Sequence, residues 1–192
     1  PGCYGFAIFP MSEAEIAQAN ELYPERKFEL EKAVPEVVHR YFAGFLGLLI
    51  IGLFGLSLYL KPFNSLVTKL TGALVLLVLA QSTFGYLTVS LKLWPQVVTM
   101  HLLGGFATTT LLFLTYMKLK DLDTGSSYSL MISKRSSNLL NFAFPVLIAQ
   151  IILGVWLSSN YAAFACPDFP LCQGQILPDT NFQMGFNFMQ SI

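Results

Sequence analysis

Residues 41–60 read Tyr-Phe-Ala-Gly-Phe-Leu-Gly-Leu-Leu-Ile-Ile-Gly-Leu-Phe-Gly-Leu-Ser-Leu-Tyr-Leu, twenty positions without a charge. A helix rises ~1.5 Å per residue, so ~20 apolar residues cross a hydrocarbon layer of ~30 Å. Charge is also absent from Leu70 to Leu91, from Leu93 to Met117 apart from one histidine, and from Ser136 to Pro167. Backbone groups in lipid must be bonded within their own segment, so these runs are helices. They define spans A (41–60), B (70–91), C (96–117) and D (138–160), and an all-α membrane protein with four transmembrane helices. Composition agrees: of 192 residues, 54% are hydrophobic, 11% are charged and 17 are Phe. A soluble domain carries roughly 25% charged residues. The shortfall excludes a disordered chain, a coiled coil and an ordinary cytosolic enzyme. A net charge of zero excludes a basic nucleic-acid footprint.

The few charges orient the bundle. The A–B loop carries Lys61 and Lys69, and the C–D linker (118–136) carries Lys118, Lys120, Lys134 and Arg135 against Asp121 and Asp123. Residues 1–40 hold seven acids and four bases. Positive loops stay in the cytoplasm. Residues 1–40, the Leu91–Pro95 turn and residues 161–192 are therefore expected outside. Ser12 and Glu15 form a capping-box pattern that opens a short surface helix to about Leu22, ended by Pro24.

The chain reads as part of a longer one. It opens at Pro1-Gly2-Cys3 without an initiator Met and stops at Gln190-Ser191-Ile192. An internal repeat accompanies this. Pro1-Gly-Cys3-Tyr-Gly5 matches Pro170-Leu-Cys172-Gln-Gly174, and Ala80-Gln81-x-x-x-Gly85 matches Ala149-Gln150-x-x-x-Gly154. The second copy supplies Cys166-Pro-Asp-Phe-Pro-Leu-Cys172, whereas the first begins inside that phrase, so Cys3 is expected to have a partner upstream of residue 1. Cys166 and Cys172, six apart on the oxidising side, fit a local disulfide. Free thiols or metal ligation are the alternatives, the latter disfavoured because no nearby histidine completes a zinc site.

Only two histidines are present, and both fall at the outer ends of inward-running spans. His39 lies just before A, and His101 about one turn into C. Two neutral imidazoles facing each other across a bundle hold a haem iron from both axial sides. Small residues follow each, Ala43 and Gly44 after His39, Gly104 and Gly105 after His101, leaving room for a flat macrocycle. The competing reading is close helix packing with histidines bonded at the interface. Glu36, three residues before His39, shares its face if the helix begins early enough. It is then an orienting partner or a proton-handling group, or simply a carboxylate favoured by the helix dipole. Arg40 suits a haem propionate or an interfacial anchor. Trp94 reads as an interfacial belt residue, and Gln81 and Gln150 as interhelical hydrogen-bond glue rather than ligands.

Pro1-Gly-Cys3-Tyr-Gly5, Pro35-Glu-Val-Val-His39-Arg-Tyr-Phe-Ala-Gly44, Leu91-Lys-Leu-Trp-Pro-Gln-Val-Val-Thr-Met-His101-Leu-Leu-Gly-Gly105 and Cys166-Pro-Asp-Phe-Pro-Leu-Cys172 together resemble the haem A synthase family. The resemblance covers essentially the whole chain. It implies an eight-helix protein built from two four-helix repeats, of which this chain is helices two to five. Residues 1–40 are then an external loop, 41–117 helices of the N-terminal half, and 137–192 the start of the C-terminal half. It implies an oxidoreductase that converts a ring methyl of haem O to a formyl group during cytochrome c oxidase assembly. His39 and His101 would ligate the substrate iron, and Glu36 would act at the methyl. Cys3 would be the second member of an external cysteine pair. The missing half would hold haem b, and a fragment lacking it is expected to be inactive alone. Haem O synthase, cytochrome c oxidase subunits and a second copy of the chain are the implied partners beside the lipid bilayer.

The main alternative is a bis-histidine membrane cytochrome b that only transfers electrons. It explains the histidines but not Glu36 or the repeated cysteine loops. A disulfide-generating quinone reductase needs two reactive cysteine pairs and leaves the histidines unused. A structural subunit or haem chaperone is the remaining alternative.

Overall fold

The helices follow from local signals at their ends. Ser12 Oγ accepts from the Glu15 amide at 3.2 Å, and the Glu15 carboxylate accepts from the Ser12 and Met11 amides at 2.9 and 2.8 Å. This closes the expected capping box on α1, Glu13–Leu22. A computed structural model gives the architecture over residues 4–6, 8–24, 27–60, 65–91, 93–125, 133–160, 162–166, 168, 170–176, 178 and 181. Four long helices follow α1: α2 Leu30–Tyr59, α3 Ser65–Ser90, α4 Pro95–Thr124 and α5 Lys134–Ser159. A short 3-10 helix, Ala162–Ala165, follows α5. Each long helix is long and apolar enough to cross a membrane. Cys3, Lys61 and Lys92 lie outside the described residues.

The helices outrun the spans read from charge. α2 begins at Leu30 rather than Tyr41 and runs through Pro35, which brings His39, Glu36 and Arg40 into the helix. A charge-free run marks where hydrocarbon begins, and Glu, Lys and Arg are good helix formers outside it. Pro35 removes one intrahelical bond. Packing offsets that loss, because buried Ala33 and Val37 lie beneath Tyr4, Phe9 and Phe28. Tyr4 and Phe28 meet edge-to-face at 5.6 Å, and the Tyr4 hydroxyl donates to the Lys27 carbonyl. At the other ends, α4 opens on Pro95 at its first position and closes on Gly125 at φ 62°. α5 opens on Ser133, whose side chain accepts from the Ser136 amide at 3.1 Å.

The chain divides into two compact units, residues 1–75 and 76–192. In the first, α2 packs on the start of α3. Ser57 Oγ lies 3.1 Å from the fully buried Thr71 Oγ1. The Phe54 ring fills the space beside Gly72. In the second, α4 packs against α5. The hydroxyls of Thr108, Thr109 and Thr110 donate to the carbonyls of Gly104, Gly105 and Phe106 at 2.8, 3.1 and 2.8 Å. A hydroxyl in lipid has no water to bond, and the carbonyl one turn back is the available acceptor. Outward faces are apolar: Phe42, Phe45, Phe113, Phe142 and Phe144 are all exposed. That is the surface a helix presents to hydrocarbon rather than to water.

Candidate functional site

Three groups of candidate side chains fall at helix termini and in one loop. In the first unit, Glu36 and Arg40 are one turn apart on α2, and an Arg40 guanidinium nitrogen donates to the Glu36 carboxylate. Spacing favours this pairing, since residues four apart on a helix face each other. Both side chains are only partly covered, 39% exposed for Arg40 and 45% for Glu36. The carboxylate expected beside His39 is held by Arg40. His39 is exposed on the same helix. A Cβ added at Gly44, just beyond it, would meet nothing within 4 Å.

In the second unit, His101 is half-buried on α4, and its ring lies against α3 at Gly85. The two glycines that follow His101 serve different purposes. Gly105 faces open space. Gly104 does not, because the Gln81 carboxamide of α3 occupies the place where a Cβ would stand. The expectation that both glycines leave room for a macrocycle is corrected here to Gly105 alone. Gln81, expected to hydrogen-bond between helices, reaches α4 by packing onto Gly104. Gly104→Ala should therefore expel the Gln81 side chain and cost about 1–3 kcal/mol, the usual penalty of overpacking. In a Gln81→Ala background the same change should cost little. Unfolding of the four variants in detergent checks this coupling.

The loop after α5 is closed by a Cys166–Cys172 disulfide with Cα atoms 4.5 Å apart. Among the described residues no group of three or more His, Cys, Asp or Glu side chains could hold a metal ion. Cys172 and Gln175 exchange backbone hydrogen bonds at 2.8 and 3.1 Å across a two-residue turn. Both central residues, Gln173 and Gly174, have positive φ, 54° and 76°, as tight hairpin turns of this kind demand. Tyr4 and Gly5, their counterparts in the first copy of the repeat, have φ 56° and 88°. The repeat seen in sequence is thus also a repeat in backbone conformation. Asp168 accepts from the Gln173 and Gly174 amides at 2.8 Å each.

Those two amides, Gly174 first, hold the Asp168 carboxyl below its ordinary value of 3.8. A depressed carboxylate stabilises the turn above its ordinary value, and that stabilisation is lost as pH falls through the lowered one. Amide protection at Gly174 should therefore be flat near neutrality and drop in acid below about 3.8. Asp168→Asn should remove that acid step, which hydrogen exchange between pH 6 and 3 would reveal. The capping role of Asp168 and the seat at Gly85 were not read from the sequence. A Cys-x-Gly turn signal with an upstream Asp could have revealed the first.

Four long apolar helices with lipid-suited outer faces make this a multi-pass integral membrane protein. Within that class its assignment is specific. Residues 1–192 match the model of the cytochrome oxidase assembly protein family, COX15-CtaA, and the chain belongs to that family. It is 41% identical over 174 residues to a protein named heme A synthase from Shewanella oneidensis, covering 91% of this chain and 51% of that one. It is 24% identical over 188 residues to a heme A synthase from Halalkalibacterium halodurans, covering 97% of this chain and 60% of that one. The chain thus spans roughly half the length of the curated relatives it matches. No solved structure matches it significantly. The family read from the motifs is the family found.

Proposed function

We propose that the protein to which this chain belongs oxidises a ring methyl of haem O to the formyl group of haem A, in two successive oxidations, during cytochrome c oxidase assembly. The observation that carries this reading is the match of the entire chain to the family, together with its 41% identity to a heme A synthase. The residues present fit a haem substrate. Each histidine is followed by a glycine, Gly44 or Gly105, whose missing side chain leaves open space. A flat macrocycle held by an imidazole would need that clearance.

The porphyrin and its iron supply the redox chemistry. His39 and His101 would hold the iron, and the protein would fix orientation and charge. Glu36 lies one turn before Arg40, whose guanidinium holds the carboxylate in place. Arginine has five N–H donors, so Arg40 can retain Glu36 and still bind a propionate. Oxidation at a carbon attached to the ring develops positive character, and a fixed carboxylate stabilises it. The rest of the protein supplies the second helical half and a haem b that relays electrons. Residues 1–40 and 161–192 face the periplasm, with Cys3 paired to an upstream cysteine. Haem O synthase and oxidase subunits are the partners this role requires.

The test is production of haem A. Full-length protein expressed in a host that makes haem O but no haem A should yield haem A, identified by mass. Absence of haem A and of any oxidised precursor, with the protein correctly inserted, would overturn the reading.

A further inference from the structure

Gly85 sits on α3 one turn beyond Gln81, and a Cβ added there would lie 3.2 Å from His101 Cε1. The same Cβ would be 3.7 Å from Nε2 and 3.8 Å from Nδ1. Both nitrogens lie only slightly farther away than Cε1, so the ring turns its face, near Cε1, toward Gly85 rather than its edge. The nitrogen lone pairs lie in the ring plane and so run alongside that contact rather than into it. Gln81 and Gly85 are four apart on α3, while His101 and Gly104 are three apart on α4. Each helix thus gives one side chain to the other's glycine: Gln81 to Gly104 and His101 to Gly85. Reciprocal contacts one turn apart hold the two helices in register.

We propose that Gly85 is a positioning residue for His101: by carrying no side chain it sets the rotation of the imidazole, and with it the direction in which Nε2 can donate to a metal. The proposal deepens the haem reading and rests on it only for the identity of the ligated group. The bland alternative is that Gly85 merely permits close helix packing, as small residues do in membranes. Gly72, on the same helix, provides the comparison. A Cβ there would approach the Phe54 ring at 3.3 Å, a contact of the same tightness with no histidine involved.

The experiment uses full-length protein in detergent, with and without haem. Without haem, 13C-labelled histidine reports the Cε1–H resonance of His101, assigned by its loss in His101→Gln. Gly85→Ala should shift that resonance, and Gly72→Ala should leave it in place. With haem bound, Gly85→Val should lose part of the six-coordinate low-spin signal while Gly72→Ala retains all of it. A His101 resonance unmoved by Gly85→Ala, or an equal response to Gly72→Ala, would overturn the proposal. If Gly85→Ala moves the resonance but His101→Ala leaves the haem spectrum intact, the seat stands and the haem role of His101 fails.

Discussion

In full-length protein, Glu36→Gln should leave haem bound and reduce formyl product by roughly 10²–10³-fold, the loss typical when one preorganised electrostatic contact to a transition state is removed. Glutamine keeps the shape and can still accept from Arg40, so the outer turn of α2 should persist. What disappears is the negative charge that the Arg40 guanidinium holds in place. A role confined to the helix dipole would give a different result, because dipole contacts contribute only ~0.3–1 kcal/mol to stability and none to chemistry. Chromatography of extracted haems separates the two outcomes. Accumulated haem O with little haem A supports the catalytic role, and an unchanged haem A yield removes it.

The second large effect is expected at the histidines. If the two histidines hold the substrate iron, His101→Ala should abolish its six-coordinate low-spin signal and lower its occupancy by more than the ~10–100-fold that loss of an outer-shell partner costs. His39→Ala should do the same. Stability should change little at His39, which is exposed. At His101 the half-buried ring also fills the seat at Gly85, so its removal leaves a small void between α3 and α4. Added imidazole should restore part of the low-spin signal in either variant. Optical and magnetic spectra of the purified variants read both effects. Retention of the parental spectrum by both single variants would exclude the pair as ligands.

The spans were legible because charge is scarce and segregated. Twenty uncharged residues from Tyr41 admit one reading, and α2 contains all of them. The start of that helix was not legible. Residues 30–40 are rich in charge and interrupted by Pro35, and their helicity depends on Tyr4, Phe9 and Phe28 packing over Ala33 and Val37. The Ser12–Glu15 cap was legible because it is local chemistry. The Cys166–Cys172 bridge was legible for the same reason, six residues being a short span to close. The seats of His101 and Gln81 were not. They depend on how α3 and α4 are rotated about their axes, and a helix that is apolar all round carries no stripe to reveal that rotation. Gly85 and Gly104 were visible in the sequence, but which side chain each receives is a property of the packed pair.

The pigment bound by full-length protein tests the central claim most directly. Haem should be extracted from protein purified from a host that makes haem O, then identified by chromatography and mass. Substrate ligation by His39 and His101 predicts haem O or its oxidised products alongside haem b, with the haem O fraction lost in His101→Ala. Recovery of haem b alone, unchanged by that substitution, would contradict it and leave an electron-carrying cytochrome.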